Sequence, residues 1–459
     1  MCLIAARRLP AGEQRLHRIL MLTGRTAELE DLKGYYGKAG SCLLILYGQK
    51  YIGKTAVLRE FTRGKPCHYH MARACSGNEH LLALKDLEKQ AGNPGKDKAV
   101  VIVEEFQRMV RMGEAVTEAL FALPQAAGEQ GVMVVLTSSC IRWVENAMVS
   151  RIGNAARGIS GVFKLKELGF FHLREYFPDY GVRQCMEVYA MLGGVAGWWE
   201  CFDRRLSVKE NVCRNILAKT GRLHEAPEYL MAEELRELSV YNTILAALAA
   251  GKEKLNDLYR HTGFSRAKLS VYLGNLIGMN LVEKVFSYEC PDAGGTKDGA
   301  KKGLYRICND YVKFYYTYLY GGADRLFQMS PERYYNTYIL PDRDRYMQDA
   351  FRRVCMQHME RCAGEGCLPL QPERMGSWFG KKGSIDIVVQ DTQGHTLLAR
   401  CMASRMGMAY TDYRKLLETA QDAGLRTDYI WLYAELFDER IVWEAEGKES
   451  LTLVDIRKL

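Results

Sequence analysis

No apolar run in this 459-residue sequence reaches the eighteen or so residues that a membrane-spanning helix needs, because Arg or His breaks even the patches near its start. No membrane association is expected. Residues 1–20 also lack a secretory apolar region followed by a small-residue cleavage site, so export is not expected. With a second methionine at Met21, they read as an extension or a mis-called start, without an assigned role. The 14 cysteines never fall as Cys-x-x-Cys, which argues against a zinc ribbon or a disulfide framework and fits a reducing cytoplasm. Internal repeats and low-complexity tracts are absent too, which leaves out solenoid and fibrous architectures. What is present is ordinary globular composition, 48% hydrophobic and 26% charged, over a length that suits about three domains. Lys and Arg total 63 against 55 Asp and Glu, and the net charge of +8 mildly favours an anionic partner without requiring nucleic acid.

Between residues 21 and about 140 the pattern alternates strand and helix. Helical spacing over 26–36 is followed by a continuous apolar stretch, 41–48, of the kind buried in a parallel sheet. Segments 66–74, 99–106 and 131–139 read as further strands, with helices between them, which predicts a βαβ array in a parallel sheet. From 141 to 230 the pattern is mostly helical, as a lid would be, with one short strand at 163–168.

The strongest signal is Gly48-Gln49-Lys50-Tyr51-Ile52-Gly53-Lys54-Thr55, a Gly-x-x-x-x-Gly-Lys-Thr loop placed directly after a buried strand and before a helix. Gly48 and Gly53 supply the bends that turn successive backbone N–H groups inward on phosphates, above the positive end of the helix. Lys54 would reach the β and γ oxygens, and the Thr55 hydroxyl would face Mg²⁺. ATP and Mg²⁺ are therefore the expected ligands of a P-loop NTPase fold.

About fifty residues on, an apolar strand ends in Glu104-Glu105, where metal binding and activation of water are expected. Glu104 would be the metal partner and Glu105 the base that polarises the attacking water. The strand at 132–136 ends in Thr137-Ser138-Ser139, and Ser138 is the candidate sensor of the γ-phosphate if that strand lies between the other two. The same hydroxyls suit capping of the next helix equally well. Arg151 and Arg157 are the nearest candidates to stabilise transition-state charge, and Arg157 is carried forward.

The order of these motifs resembles a bacterial and archaeal family of P-loop ATPases in the AAA-like, origin-recognition-related branch. The resemblance runs through 23–32, 48–55, 101–106, 134–139, 163–177, 188–199, 241–284 and 303–316, nearly the whole chain. It implies an ATP-binding domain, a winged helix and a C-terminal domain similar to restriction-endonuclease-like folds. It also implies that Gly24 and Arg25 lie near the adenine. Two places depart from the family pattern: Glu104 stands where Asp is expected, and Ala155-Ala156-Arg157-Gly158 stands where a paired-arginine turn is usual. The expected layout is a 1–20 extension, a P-loop ATPase domain with its lid over 21–230, a winged helix-turn-helix over 231–320, and a small α/β nuclease-like domain over 342–459.

Residues 241–250, 254–261 and 265–279 read as three helices, with Thr262-Gly263 as the turn and Ser265 as N-cap of the third. Leu269, Leu273, Leu276 and Ile277 share one face of that helix, leaving Arg266, Lys268, Ser270 and Tyr272 outward as a recognition surface for double-stranded DNA. The hairpin that follows would be a wing made basic by Lys297, Lys301, Lys302 and Arg306, suited to phosphate contacts.

In the last domain Asp386 sits where a PD-(D/E)xK nuclease places its metal-binding Asp. The next strand offers Arg400-Cys401-Met402 at the E-x-K positions, and Arg352 follows Phe351 where a helical acid is expected. Such residues neither chelate Mg²⁺ nor supply the lysine, so the domain is expected to be inactive and to serve as a contact surface for a protein partner. Cys67, His68, His70 and Cys75 lack a four-ligand spacing and read as packing. The tyrosines 311, 315, 316, 318 and 320 read as a packed helix rather than a platform for bases. The function expected is slow Mg²⁺-dependent ATP hydrolysis controlling a DNA-binding winged helix. The alternative is a nucleotide-binding regulatory scaffold with little or no hydrolysis, acting through protein partners.

Overall fold

The computed structural model describes residues 23–92, 97–126, 130–232, 234–288 and 303–459. The chain forms two compact units, one holding the residues up to Leu168 with Val195–Glu200 and Gly278–Asn280, the other holding Gly169–Gly194, Cys201–Ile277 and Leu281–Leu459.

The first unit is built on five parallel strands, β1 (Cys42–Tyr47), β2 (Cys67–Met71), β3 (Ala99–Glu104), β4 (Val132–Ser138) and β5 (Gly161–Lys164). Their order is β2-β3-β4-β1-β5, so β4 lies between the strand that feeds the Gly48–Thr55 loop and the strand that ends at Glu104. Every residue of β1, β3 and β4 is buried, as near-continuous apolar strands covered on both faces must be. At the edge, β2 alternates exposed and half-buried positions. The helices Thr26–Tyr36, Lys54–Phe61, Gly77–Ala91 and Glu114–Ala122 connect or flank these strands. Ser76 caps the third of them by accepting from the Glu79 N–H. Leu43, Ile45, Val101, Val103, Val134 and Leu136 form the centre of one core with Leu84 and Leu120 from the covering helices and Phe106 from the turn after β3.

In the second unit, the helix Val182–Leu192 packs on Asp310–Phe314 and on the long helix Arg343–Gly364. The helices Leu238–Ala249, Leu255–Thr262 and Arg266–Gly278 are followed by the antiparallel pair β6 (Val282–Val285) and β7 (Leu304–Ile307), the arrangement of a winged helix. The last part is a mixed sheet in which β8 (Arg374–Phe379), β9 (Ser384–Gln390) and β10 (Thr396–Cys401) form an antiparallel meander. After the helix Tyr410–Ala423, β11 (Tyr429–Ala434) runs parallel to β10, and β12 (Leu451–Asp455) runs parallel to β11. The protein is therefore α/β, with a P-loop-like parallel sheet, a helical region and a C-terminal mixed sheet.

The tyrosines of 311–318 are spent internally. Tyr311, Tyr315, Tyr316 and Tyr318 are buried, and their hydroxyls donate to the Leu223 carbonyl, Glu228, Asn242 and Asp342 in that order. Among the described residues no helix is long and apolar enough to cross a membrane.

Candidate functional site

The Gly48–Thr55 loop leaves the C-terminal end of β1 and re-enters a helix at Lys54, because Gly53 takes a left-handed conformation (φ 106°) that ends the loop as the helical N-cap. Gly48 is required by space as well as by its φ of 156°, since a Cβ there would lie 2.7 Å from the Leu165 carbonyl oxygen. Tyr51 is also left-handed, and its carbonyl accepts the Gly197 N–H at 2.9 Å.

Lys54 is buried, and its ammonium donates to the carbonyls of Gly48 (2.8 Å) and Gln49 (3.1 Å) and to the Ser139 hydroxyl (3.1 Å). Burial lowers its pKa, opposed by the charges of Glu105 and Glu104. Thr55 donates its hydroxyl to Glu104 Oε1 at 2.6 Å, which brings together the two residues predicted to hold the metal. The second oxygen, Glu104 Oε2, accepts from the Tyr69 hydroxyl at 2.7 Å.

Glu105 has φ 57°, outside the strand, which turns its carboxylate toward the end of β4. There it accepts from Gln107 Nε2 (2.6 Å), from the Ser139 N–H (3.2 Å) and from the Ser139 hydroxyl. Burial by itself would raise the Glu105 pKa, but the bonds from Ser139 and Gln107 and the Lys54 ammonium hold it below the usual carboxylate range. The group is an anion at neutral pH, as a base must be.

Ser138 does not enter this network. Its side chain is fully buried and accepts the Cys140 N–H at 3.1 Å, while the next helix, Ile141–Asn146, has Cys140 as its N-cap and no side-chain capping bond. Ser139, one residue past the end of β4, leaves the ladder and faces Lys54 and Glu105 instead. Arg157 lies exposed in the 3-10 turn Gly153–Gly158, and the bonds around Lys54 and Glu105 do not include it. Arg25 is buried at the start of the first helix and clasps the loop from behind. Its guanidinium donates to the Ile52 carbonyl (3.1 Å), the Lys166 carbonyl (2.8 Å) and Glu28 (2.9 Å). Gln49 likewise ties the loop to Glu167 at 2.6 Å.

Sequence reasoning missed Ser139, Gln107 and Tyr69. Tyr69 pairs with Ile102 on β3, two residues before Glu104, so the two side chains share a face, a relation that only the strand pairing shows.

In the second unit, Arg266 and Ser270 are exposed while Lys268 and Tyr272 are half-buried. Arg266 lies over the Tyr259 ring at 4.3 Å and donates to Asn256, and Lys268 lies over Phe264 at 4.8 Å. Ser270 returns its hydroxyl to the Arg266 carbonyl, and the Tyr272 hydroxyl donates to Glu237. Ile277, expected on the buried face with Leu269, Leu273 and Leu276, is 37% exposed, so the apolar face is narrower than its spacing suggests. Lys297, Lys301 and Lys302 lie outside the described residues. Arg306, read from sequence as part of a basic wing, pairs with Glu253 at 2.9 Å and turns its charge inward.

In the C-terminal sheet, Asp386 accepts the Cys401 N–H at 2.9 Å and has Arg400 at 3.7 Å, while burial raises its pKa. Two residues before Phe351 on the same helix is an acid, Asp349. It is held by Arg352 (2.6 Å), Lys313 (3.2 Å) and Arg353 (3.5 Å). Cys75 and His80 meet at 3.4 Å, yet among the described residues no three His, Cys, Asp or Glu side chains form a group that could hold a metal.

Residues 315–404 match the profile of DUF234, described as archaeal and bacterial proteins of unknown function. An uncharacterized protein, MJECL04 of Methanocaldococcus jannaschii, is 24% identical over 386 residues, covering 80% of this chain and 84% of the relative. Among solved structures, the Walker-type ATPase PABY2304 of Pyrococcus abyssi is similar with a TM-score of 0.46 and 16% identity, over 64% of this chain and 95% of that one. The ORC2 protein of Aeropyrum pernix, in ADPNP–ADP complexes, gives a TM-score of 0.41 and 14% identity, over 70% and 94%. At such identities the site's own geometry, rather than these relatives, carries the function proposed below.

Proposed function

We propose that the first unit binds ATP with Mg²⁺ and hydrolyses it slowly, and that the bound nucleotide controls contact between the winged helix and double-stranded DNA. The observation that carries this reading is the meeting of Thr55 Oγ1 and Glu104 Oε1 at 2.6 Å, from the loop helix on one side and β3 on the other. A hydroxyl and a carboxylate oxygen side by side fit Mg²⁺, a hard cation that takes one or two protein oxygens and keeps several waters. Bound there, the cation would neutralise charge on the β and γ phosphates.

The chain's own residues do the rest. Loop N–H groups and the helix starting at Lys54 receive the phosphates, and phosphate oxygens replace the Gly48 and Gln49 carbonyls on the Lys54 ammonium. Glu105 accepts the proton of the water that attacks the γ-phosphorus, giving ADP and phosphate. Ser139, bonded to both Lys54 and Glu105, takes the sensor role first given to Ser138. Arg25 fixes the loop through the Ile52 carbonyl. On the winged helix, Arg266 and Lys268 supply the phosphate contacts, with Ser270 and Tyr272 beside them.

One observation favours a nucleotide-binding scaffold with little turnover: both oxygens of Glu105 are already engaged, by Ser139 and by Gln107. ATP binding and steady-state hydrolysis with Mg²⁺, on wild type, Lys54→Ala and Glu105→Gln, with and without duplex DNA, separate the two. Turnover lost in both variants and raised by DNA supports the ATPase. Lys54-dependent binding with no turnover supports the scaffold, and no nucleotide binding at all overturns both.

A further inference from the structure

Glu104 carries one more rotatable bond than the aspartate usual at its position, so its carboxylate reaches further from β3 and has more orientations to lose. Thr55 alone would fix only one of its oxygens. In this protein the other is fixed as well, by the Tyr69 hydroxyl at 2.7 Å, from a strand whose register to β3 is set by five residue pairs. Core packing does not explain where that ring sits, because Tyr69 is 50% exposed on the edge strand. Its hydroxyl bond to Glu104 is the contact that distinguishes it from its neighbours on β2.

We propose that Tyr69 is a positioning residue for the metal-binding carboxylate, holding Glu104 so that Oε1 stays turned toward the Thr55 hydroxyl. The proposal rests on the nucleotide-site reading above. It explains how a glutamate serves where a shorter acid is the rule: a second hydroxyl takes up the freedom of the extra methylene. Tyr69 acts through Glu104 and touches neither the nucleotide nor the attacking water in this scheme.

The test is calorimetric titration of the full chain with a non-hydrolysable ATP analogue over a series of Mg²⁺ concentrations. Tyr69→Phe is expected to raise the Mg²⁺ concentration for half-maximal tightening about three- to tenfold, the size of one ordinary net hydrogen bond at a half-exposed site, and to leave metal-free affinity within about twofold. In a Glu104→Asp background the shorter carboxylate lies beyond the phenol, so the same Tyr69→Phe change should move the midpoint less than about twofold. An unchanged midpoint in the single variant, or an equal shift in both backgrounds, overturns the proposal while leaving the nucleotide site standing. Absence of any binding by wild type, with or without Mg²⁺, overturns the nucleotide site itself.

Discussion

Ser139 holds Glu105 by two donors at once, its backbone N–H at 3.2 Å and its hydroxyl, on the carboxylate proposed above as the base. The same hydroxyl accepts from Lys54, so a single side chain joins the loop's ammonium to the acid. Replacing it tests both ends of that link.

Ser139→Ala should lower the hydrolysis rate about tenfold with a smaller loss of nucleotide affinity, because the loop N–H groups remain. The bond from the Ser139 hydroxyl to the charged carboxylate is part of what depresses the Glu105 pKa, so its loss moves it up, while the Ser139 N–H and Gln107 still donate. The acidic limb of the rate–pH profile should therefore shift to higher pH. A profile unchanged in position would show that Ser139 does not set the Glu105 charge.

Arg25→Ala leaves the Ile52 and Lys166 carbonyls without their shared donor and removes the partner of Glu28. A loss of about 1 to 3 kcal/mol in stability is expected, together with weaker ATP binding from a looser loop. Arg25→Lys should restore little, since an ammonium lacks the planar fork that spans three acceptors. Thermal denaturation with and without ATP would read both effects.

Arg266→Ala with Lys268→Ala should weaken duplex DNA binding across sequences and reduce the salt dependence by about two phosphate contacts. Tyr272→Phe should change it much less, because that hydroxyl is bonded to Glu237 within the winged helix. Fluorescence anisotropy over a salt series distinguishes these outcomes; equal affinity in the double variant would remove the helix from DNA contact.

Asp349 lies among Lys313, Arg352 and Arg353, and although burial opposes its charge, these cations hold its pKa well below the carboxylate range. A depressed folded-state pKa stabilises above the unfolded value, near 4, and that stabilisation is lost as pH falls further. Asp349→Asn should cost about 2 to 4 kcal/mol at pH 7, leaving three cations under-compensated. The gap from wild type should narrow below about pH 4. Urea denaturation at pH 7, 4 and 3 measures it, and a gap that is constant with pH would contradict the assignment.

Much of the first unit was legible because its signals are local. Continuous apolar runs give buried parallel strands, and the helix read at 26–36 is the helix Thr26–Tyr36. Gly48, Gly53, Lys54 and Thr55 follow from the loop's own spacing, since backbone geometry leaves few ways to turn N–H groups inward. Ser138 and Ser139 show where such reasoning ends. Adjacent hydroxyls at a strand end differ in direction, and which one faces the loop depends on where the ladder stops.

The sequence by itself determined the order of strands and helices, the phosphate loop and the two acids, because each is encoded within a few neighbouring residues. Tertiary structure alone decided that β4 lies between β1 and β3, that Tyr69 reaches Glu104, and that Arg306 turns inward to Glu253. The last two join residues 35 or more positions apart. Hydrophobic periodicity specifies which face of an element is buried, but contacts at that range follow from the packing of whole elements.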